Sequence, residues 1–145
     1  MKFRASEYGF SLIEIMVVLA IMGILVSIIG VNVMGMHYKA QVSKVRADFS
    51  KMEGALKMYK LENGMYPSTE QGIEALVYKT EIHPIPRDFP KEGYLDRMPK
   101  DPWKNNYVYL SPGANHHYEI QSFGADGIEG GEDESVDLDV WHEVN

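Results

Sequence analysis

Hydrophobic and polar positions are distributed along this chain in two distinct ways, and the change falls near residue 37. From Phe10 to Met36, Ile, Leu, Val, Met and Phe dominate every face of any helix drawn through them, and Glu14 is the only charge. These 27 residues would reach about 40 Å as a helix, enough to cross a hydrocarbon core of about 30 Å with some tilt. Beyond them, Val42, Val45, Phe49, Met52, Leu56 and Tyr59 recur at alternating spacings of three and four. That is one apolar seam on a helix whose other faces carry Lys39, Lys44, Arg46, Asp48, Lys51, Glu53, Lys57 and Lys60. The pattern predicts one helix from about Phe10 to Leu61, a stalk of roughly 80 Å, ended by Asn63-Gly64 with Pro67 close behind. A membrane anchor followed by an unrelated core helix has the same periodicity.

Past the stalk the patterns become short. Ser68 and Gln71 form a capping-box pair, and Ile73, Leu76 and Val77 give the following segment one apolar face. A short helix from about Thr69 to Lys79, packed on the stalk seam, is the expectation. Pro84, Pro86, Pro90, Pro99 and Pro102 make residues 80–102 a shaped loop. Tyr107–Leu110 and Tyr118–Ser122 have strand composition and are joined by a turn around Pro112-Gly113, so a small antiparallel sheet is expected. The predicted class is α+β: a long amino-terminal helix, half membrane-spanning and half amphipathic, packed on a small domain with a short helix and a small sheet.

Composition narrows the function. A chain of 145 residues with 45% apolar content holds one small domain and an attachment, not a multidomain enzyme. The net charge of −7 is local: Ser122 to Asn145 holds eight acids and no Lys or Arg, which leaves residues 1–121 near +1. No basic face stands out to follow phosphates, so nucleic acid is not expected as a partner. The absence of cysteine excludes disulfides, thiolate metal sites and thiol nucleophiles. There is no H-E-x-x-H arrangement, Walker loop or G-x-S-x-G elbow; His116, His117 and His142 read as surface residues, and the late Trp and Tyr residues as core packing. No enzymatic activity is expected.

The amino terminus carries the first chemistry. Met1–Gly9 is a short polar leader with Lys2 and Arg4 against Glu7, which keeps it cytoplasmic and places the rest across the membrane. The apolar run is too long for an ordinary secretory signal and lacks the small-x-small site after it. Glu14 within that run costs about 2.5 to 3.5 kcal/mol on insertion scales. It is either a snorkelling carboxylate near the bilayer edge or one that finds a partner.

Gly9-Phe10-Ser11-Leu12-Ile13-Glu14 ahead of the apolar run resembles the class III leader junction of type IV pilins and pseudopilins. The resemblance implies that prepilin peptidase cuts between Gly9 and Phe10 and methylates the new Phe10 amine. It also implies that Glu14 lies against the Phe10 amine of a neighbouring subunit after assembly. Three later stretches resemble the type II secretion pseudopilins of the general secretory pathway protein G family: Lys57–Val77, Asp101–Tyr109 and Phe123–Gly127. One departure concerns the helix: where that family commonly has a proline in the apolar run, this chain has Val31, with Gly30 and Gly35 as the remaining weak points.

The acidic segment has its own reading. Asp126, Asp133, Ser135, Asp137 and Asp139 lie in a Gly-rich loop, and calcium takes six to eight oxygens, main-chain carbonyls included. The spacing is not that of an EF-hand, because Leu138 and Val144 stand where Gly and Glu are required. A solvated acidic tail is the alternative, against which Trp141 suggests a segment tied back to the core. The family resemblance implies a calcium cofactor here, with Phe123, Asp126, Asp133, Ser135 and Asp137 as ligands.

The implied organisation is a leader at 1–9, a transmembrane and polymerisation half at 10–36, and a periplasmic domain at 37–145, in a single-pass inner-membrane protein. The implied role is a structural subunit of a pseudopilus that drives protein export across the outer membrane. Its implied partners are further copies of itself as a homopolymer, prepilin peptidase, minor pseudopilins, the inner-membrane assembly platform and, before assembly, membrane lipid. Two other readings stay open: a pilin of an adhesive or DNA-uptake filament, and a monomeric membrane-anchored calcium-binding module.

Overall fold

The computed structural model describes residues 9–142, except for the side chains of residues 28–34 and of Glu134. The leader residues 1–8 and the last three residues, Glu143 among them, lie outside the described residues. The predicted long helix is present as one element, α1, Leu12–Asn63. It ends where the sequence placed its stop. Gly64 takes φ 80, its N–H bonds the Lys60 carbonyl at 2.7 Å, and Asn63 Nδ2 bonds the Tyr59 carbonyl at 3.1 Å, a left-handed carboxyl cap. The chain divides into two compact units, Met1–Tyr38 and Lys39–Asn145.

In the second unit the seam is the floor of the core. Val45, Phe49, Met52, Leu56 and Tyr59 are buried and pack with Ile73, Leu76, Tyr107, Tyr109, Tyr118, Ile120 and Leu138. Carboxylates flanking the seam receive tyrosine hydroxyls, two from buried tyrosines and one, from Tyr94, at the exposed margin. Tyr107 donates to Asp48 at 2.8 Å, Tyr118 to Glu53 at 3.0 Å and Tyr94 to Glu62 at 2.5 Å. A buried phenol needs such an acceptor, so α1 holds the domain by apolar burial along the seam and by charge-assisted hydrogen bonds along its margins.

The predicted short helix forms over fewer residues than expected: α2 is Glu74–Val77. The capping box itself is present, with Ser68 N–H on Gln71 Oε1 at 2.9 Å and Gln71 N–H on Ser68 Oγ at 3.2 Å. It closes only a separate turn, because Gly72 adopts φ 64 and re-aims the chain so that Ala75, Leu76 and Val77 are buried. No helix or strand is assigned in residues 80–99, as the prolines required.

The sheet has three antiparallel strands in the order β1 (Val108–Leu110), β2 (Glu119–Ser122) and β3 (Leu138–Asp139). Tyr109 faces Ile120, and Ser122 faces Leu138. The third strand was not expected. Apolar Val136, Leu138 and Val140 alternate with Asp137 and Asp139, a period-two pattern masked by the acidity of the segment. Leu138 is the residue it buries.

Candidate functional site

Two places carry the functional expectations. At the amino terminus, the Ser11 carbonyl accepts the N–H groups of Glu14 at 3.0 Å and Ile15 at 3.2 Å. Glu14 Oε2 in turn lies 3.5 Å from the Ser11 N–H. Ser11-x-x-Glu14 has the spacing of a capping box, and one half of it is present at the start of α1: the Glu14 carboxylate lies at the outer limit of hydrogen-bond distance from the Ser11 N–H and sits favourably in the first turn of the helix dipole. The S-x-x-E spacing signals this local contact, which the membrane and assembly readings of Glu14 leave out. Phe10 and the apolar residues from Leu12 to Val26 are 44 to 81% exposed. Among the described residues no helix is long and apolar enough to cross a membrane; the expected span at 10–36 includes the side chains of 28–34, which lie outside them.

The second place is the acidic segment between β2 and β3. Its first turn is closed by the Gly127 N–H on the Phe123 carbonyl at 3.1 Å, and Asp126 Oδ1 accepts the Ile128 N–H at 3.1 Å. A 3-10 turn follows at Asp133–Ser135, with Asp133 itself at φ 54. The Ser135 main chain is pressed against two glycines: a Cβ on Gly124 would lie 2.9 Å from the Ser135 carbonyl oxygen, and one on Gly131 would lie closer still. Both glycines hold left-handed φ values, 59 and 102, so no other residue fits this crossing.

Asp137 is the informative acid. Its Oδ2 accepts the Gly130 N–H at 2.8 Å, whereas its Oδ1 is buried without any hydrogen-bond partner. An orphaned carboxylate oxygen of this kind calls for a water or an ion, and a carboxylate oxygen suits a hard cation such as calcium. Among the described residues no three acids or histidines converge closely enough to hold a metal. Asp137 and the Ser135 main chain are thus drawn into one tight crossing, while Asp126 is engaged with its own turn. Asp139 belongs elsewhere: it accepts the Trp141 N–H at 2.6 Å and faces Gln121 across β2 and β3.

Trp141 does tie the segment to the core. Its Nε1–H donates to the Tyr118 carbonyl at 2.8 Å, and its ring stacks on His116 at 4.3 Å. His116, His117 and His142 are exposed, and Tyr107, Tyr109 and Tyr118 are core residues. Burial, reinforced by the Asp48 and Glu53 carboxylates, pushes the Tyr107 and Tyr118 phenols far above their ordinary range, and burial lifts Tyr109 to about 12. None of these tyrosines is poised to titrate near neutrality.

Comparison with known proteins places these features. The sequence model of type II secretion system protein G matches residues 32–141, and that of the prokaryotic N-terminal methylation motif matches residues 4–30. The type II secretion system core protein G of Vibrio cholerae is 46% identical over 142 residues, covering 98% of this chain and 97% of that protein. The core protein G of Escherichia coli K12 is 44% identical over 141 residues, covering 97% and 95%. Among solved structures, the major pseudopilin from the type 2 secretion system of enterohaemorrhagic Escherichia coli is similar with a TM-score of 0.68 at 43% identity. The match covers 76% of this chain and 94% of that one.

Proposed function

This chain belongs to the type II secretion system protein G family, and from that premise we propose that it is the repeating subunit of a pseudopilus that drives protein export across the outer membrane. Its fold is the type IV pilin-like one. The observation that carries the reading is the bare amino-terminal half of α1, where apolar side chains from Phe10 to Val26 stand exposed. At about 25 cal/mol per Å² such a surface is strongly unfavourable in water, so it needs lipid before assembly and the helices of other copies afterwards. The two relatives named above are core proteins of the type II secretion system, which favours this reading over an adhesive or DNA-uptake pilin.

The family is a structural one, and with the methylation motif it makes this a membrane-associated periplasmic protein. The finer steps belong to the proposal. Prepilin peptidase cuts between Gly9 and Phe10 and methylates Phe10; Glu14 exchanges its cap on Ser11 for the Phe10 amine of a neighbour; α1 anchors the subunit once through the inner membrane. Minor pseudopilins and the assembly platform act on this polymer. Calcium occupies the acidic segment, held by Asp137 with Asp126, Asp133 and the main-chain oxygens of Phe123 and Ser135. When bound it supplies the charge neutralisation that a short loop of carboxylates lacks. The orphaned Asp137 Oδ1 is what supports this part.

Crosslinking in membranes tests the polymer. Cells that produce the chain together with a secretion apparatus, treated with a short bifunctional crosslinker, should yield a ladder of multimers. Monomer alone, from cells that secrete normally, would contradict the proposed role.

A further inference from the structure

Gly124 and Gly127, in the first turn of the acidic segment, are both met by one side chain from outside it. Asn105 Nδ2 donates to the Gly124 carbonyl at 3.2 Å, and a Cβ on Gly127 would lie 3.2 to 3.3 Å from the Asn105 amide group. The amide thus lies across the turn that carries the Phe123 carbonyl and Asp126. Asn105 is itself held firmly. Asp101, a buried carboxylate, accepts the Asn105 N–H at 2.7 Å and the Trp103 N–H at 3.0 Å on one oxygen. Its other oxygen accepts the Ser122 hydroxyl at 2.9 Å. Ser122 is the last residue of β2, immediately before Phe123. Between them Lys104 is kept at φ 75, a conformation that a lysine takes only where its surroundings over-determine it.

We infer that Asp101 and Asn105 are the positioning residues of the cation site, an inference that rests on the calcium reading above. Both ends of the turn are fixed from the same place: Ser122 at its start through Asp101, and Gly124 and Gly127 through Asn105. The hydrogen bonds that hold Asp101 and Asn105 lie within the domain and involve no cation, so they set the direction of the Phe123 carbonyl and of Asp126 before calcium arrives. Neither residue is a ligand in this reading. Outer partners that orient ligands in this way commonly govern metal affinity by about 10- to 100-fold.

Asn105→Asp separates positioning from plain electrostatics, because it keeps the shape of the side chain, removes its N–H donors and adds a negative charge beside the site. Charge alone makes calcium bind more tightly. Positioning makes it bind more weakly, since a carboxylate cannot donate to the Gly124 carbonyl. The full chain in detergent micelles is titrated with calcium chloride by calorimetry, and its melting midpoint is measured in chelator. The expected result is a Kd raised about tenfold, beyond any fall in the chelator midpoint that the lost Gly124 bond brings. An unchanged or lower Kd overturns the inference, as does a chelator midpoint that falls while Kd holds, because Asn105 would then serve the fold alone. Ser122→Ala supplies an independent variant should Asn105→Asp not fold: it frees the start of the turn, and an unaltered Kd there also overturns the inference. An unmutated chain that gives no calcium heat defeats the calcium reading itself, and the positioning inference with it.

Discussion

Replacing Asp137 with asparagine should remove the response to calcium without weakening the metal-free protein. Asp137 Oδ1 is a buried carboxylate oxygen with no hydrogen-bond partner, and a buried group left unpaired costs about 1–3 kcal/mol, more when it is charged. Asparagine retains the shape and an oxygen that can keep the Gly130 N–H, and it deletes the charge. The variant in chelator should therefore melt close to the unmutated chain, since losing the buried charge offsets the cost of the amide N–H group that takes its place. With calcium the order reverses. Binding to the folded state alone adds RT ln(1 + [L]/Kd), about 2.7 kcal/mol at a hundredfold excess over Kd. For a domain of about 100 residues each kcal/mol moves the midpoint by about 4 to 8 °C. The unmutated chain should thus gain more than about 10 °C on going from chelator to calcium, and Asp137→Asn should gain little. Tryptophan fluorescence of the full chain in micelles is a suitable assay, because Trp103 packs against the core and Trp141 is bonded to Tyr118. Equal gains in the two proteins would refute the reasoning, and no gain in either would return the acidic segment to a solvated tail.

Three further outcomes are expected. Gly9→Val should leave the leader attached, because a peptidase pocket fitted to a residue without a side chain rejects a branched one; intact-mass analysis should find the unmutated protein beginning at Phe10, and any other start would contradict the assignment. Glu14→Leu should insert at least as well as the unmutated chain, since it removes a charge that costs about 2.5–3.5 kcal/mol in the apolar segment, yet fail to assemble; normal filaments and secretion by this variant would show the carboxylate to be an edge residue with only its cap on Ser11. The domain should lose stability in alkali. The Tyr107, Tyr109 and Tyr118 phenols are raised above their ordinary value of 10 by burial, so the folded state holds protons that the unfolded state releases. Their contribution is complete below pH 10 and falls above it, for Tyr109 between pH 10 and about 12; melting midpoints from pH 8 upward should drop beyond pH 10, and less steeply in Tyr109→Phe.

Much of this architecture was legible because long, periodic patterns dominate it. The seam from Val45 to Tyr59 could be read before any contact was known, since spacings of three and four put those residues on one face whatever they meet. The Asn63-Gly64 stop and the Ser68–Gln71 box were readable for the same reason: their chemistry is local. What escaped was short or depended on distant partners. Gly72 gave no sign in the sequence that it would divide the expected helix, because only the burial of Ala75, Leu76 and Val77 made a left-handed turn there worthwhile. The alternation from Val136 to Val140 was too brief to outweigh the acids around it, and it became a strand because β2 offered an unpaired edge.

The sequence by itself determined the long helix, the division of its faces between an apolar half and an amphipathic half, a Gly9-Phe10 junction that resembles a leader cleavage site, and a segment whose acids are candidate cation ligands. These are properties of neighbours along the chain, for which three or four residues of separation suffice. Only the tertiary structure decided which acids do what. Asp48, Glu53 and Glu62 became acceptors for tyrosine hydroxyls that lie 32 to 65 residues away in the chain. Asp101 became the buried clamp of a turn, and among the described residues Asp137 alone was left with a buried oxygen unanswered. A carboxylate's role depends on which donor reaches it and whether water does, and both are settled by packing between segments far apart in sequence.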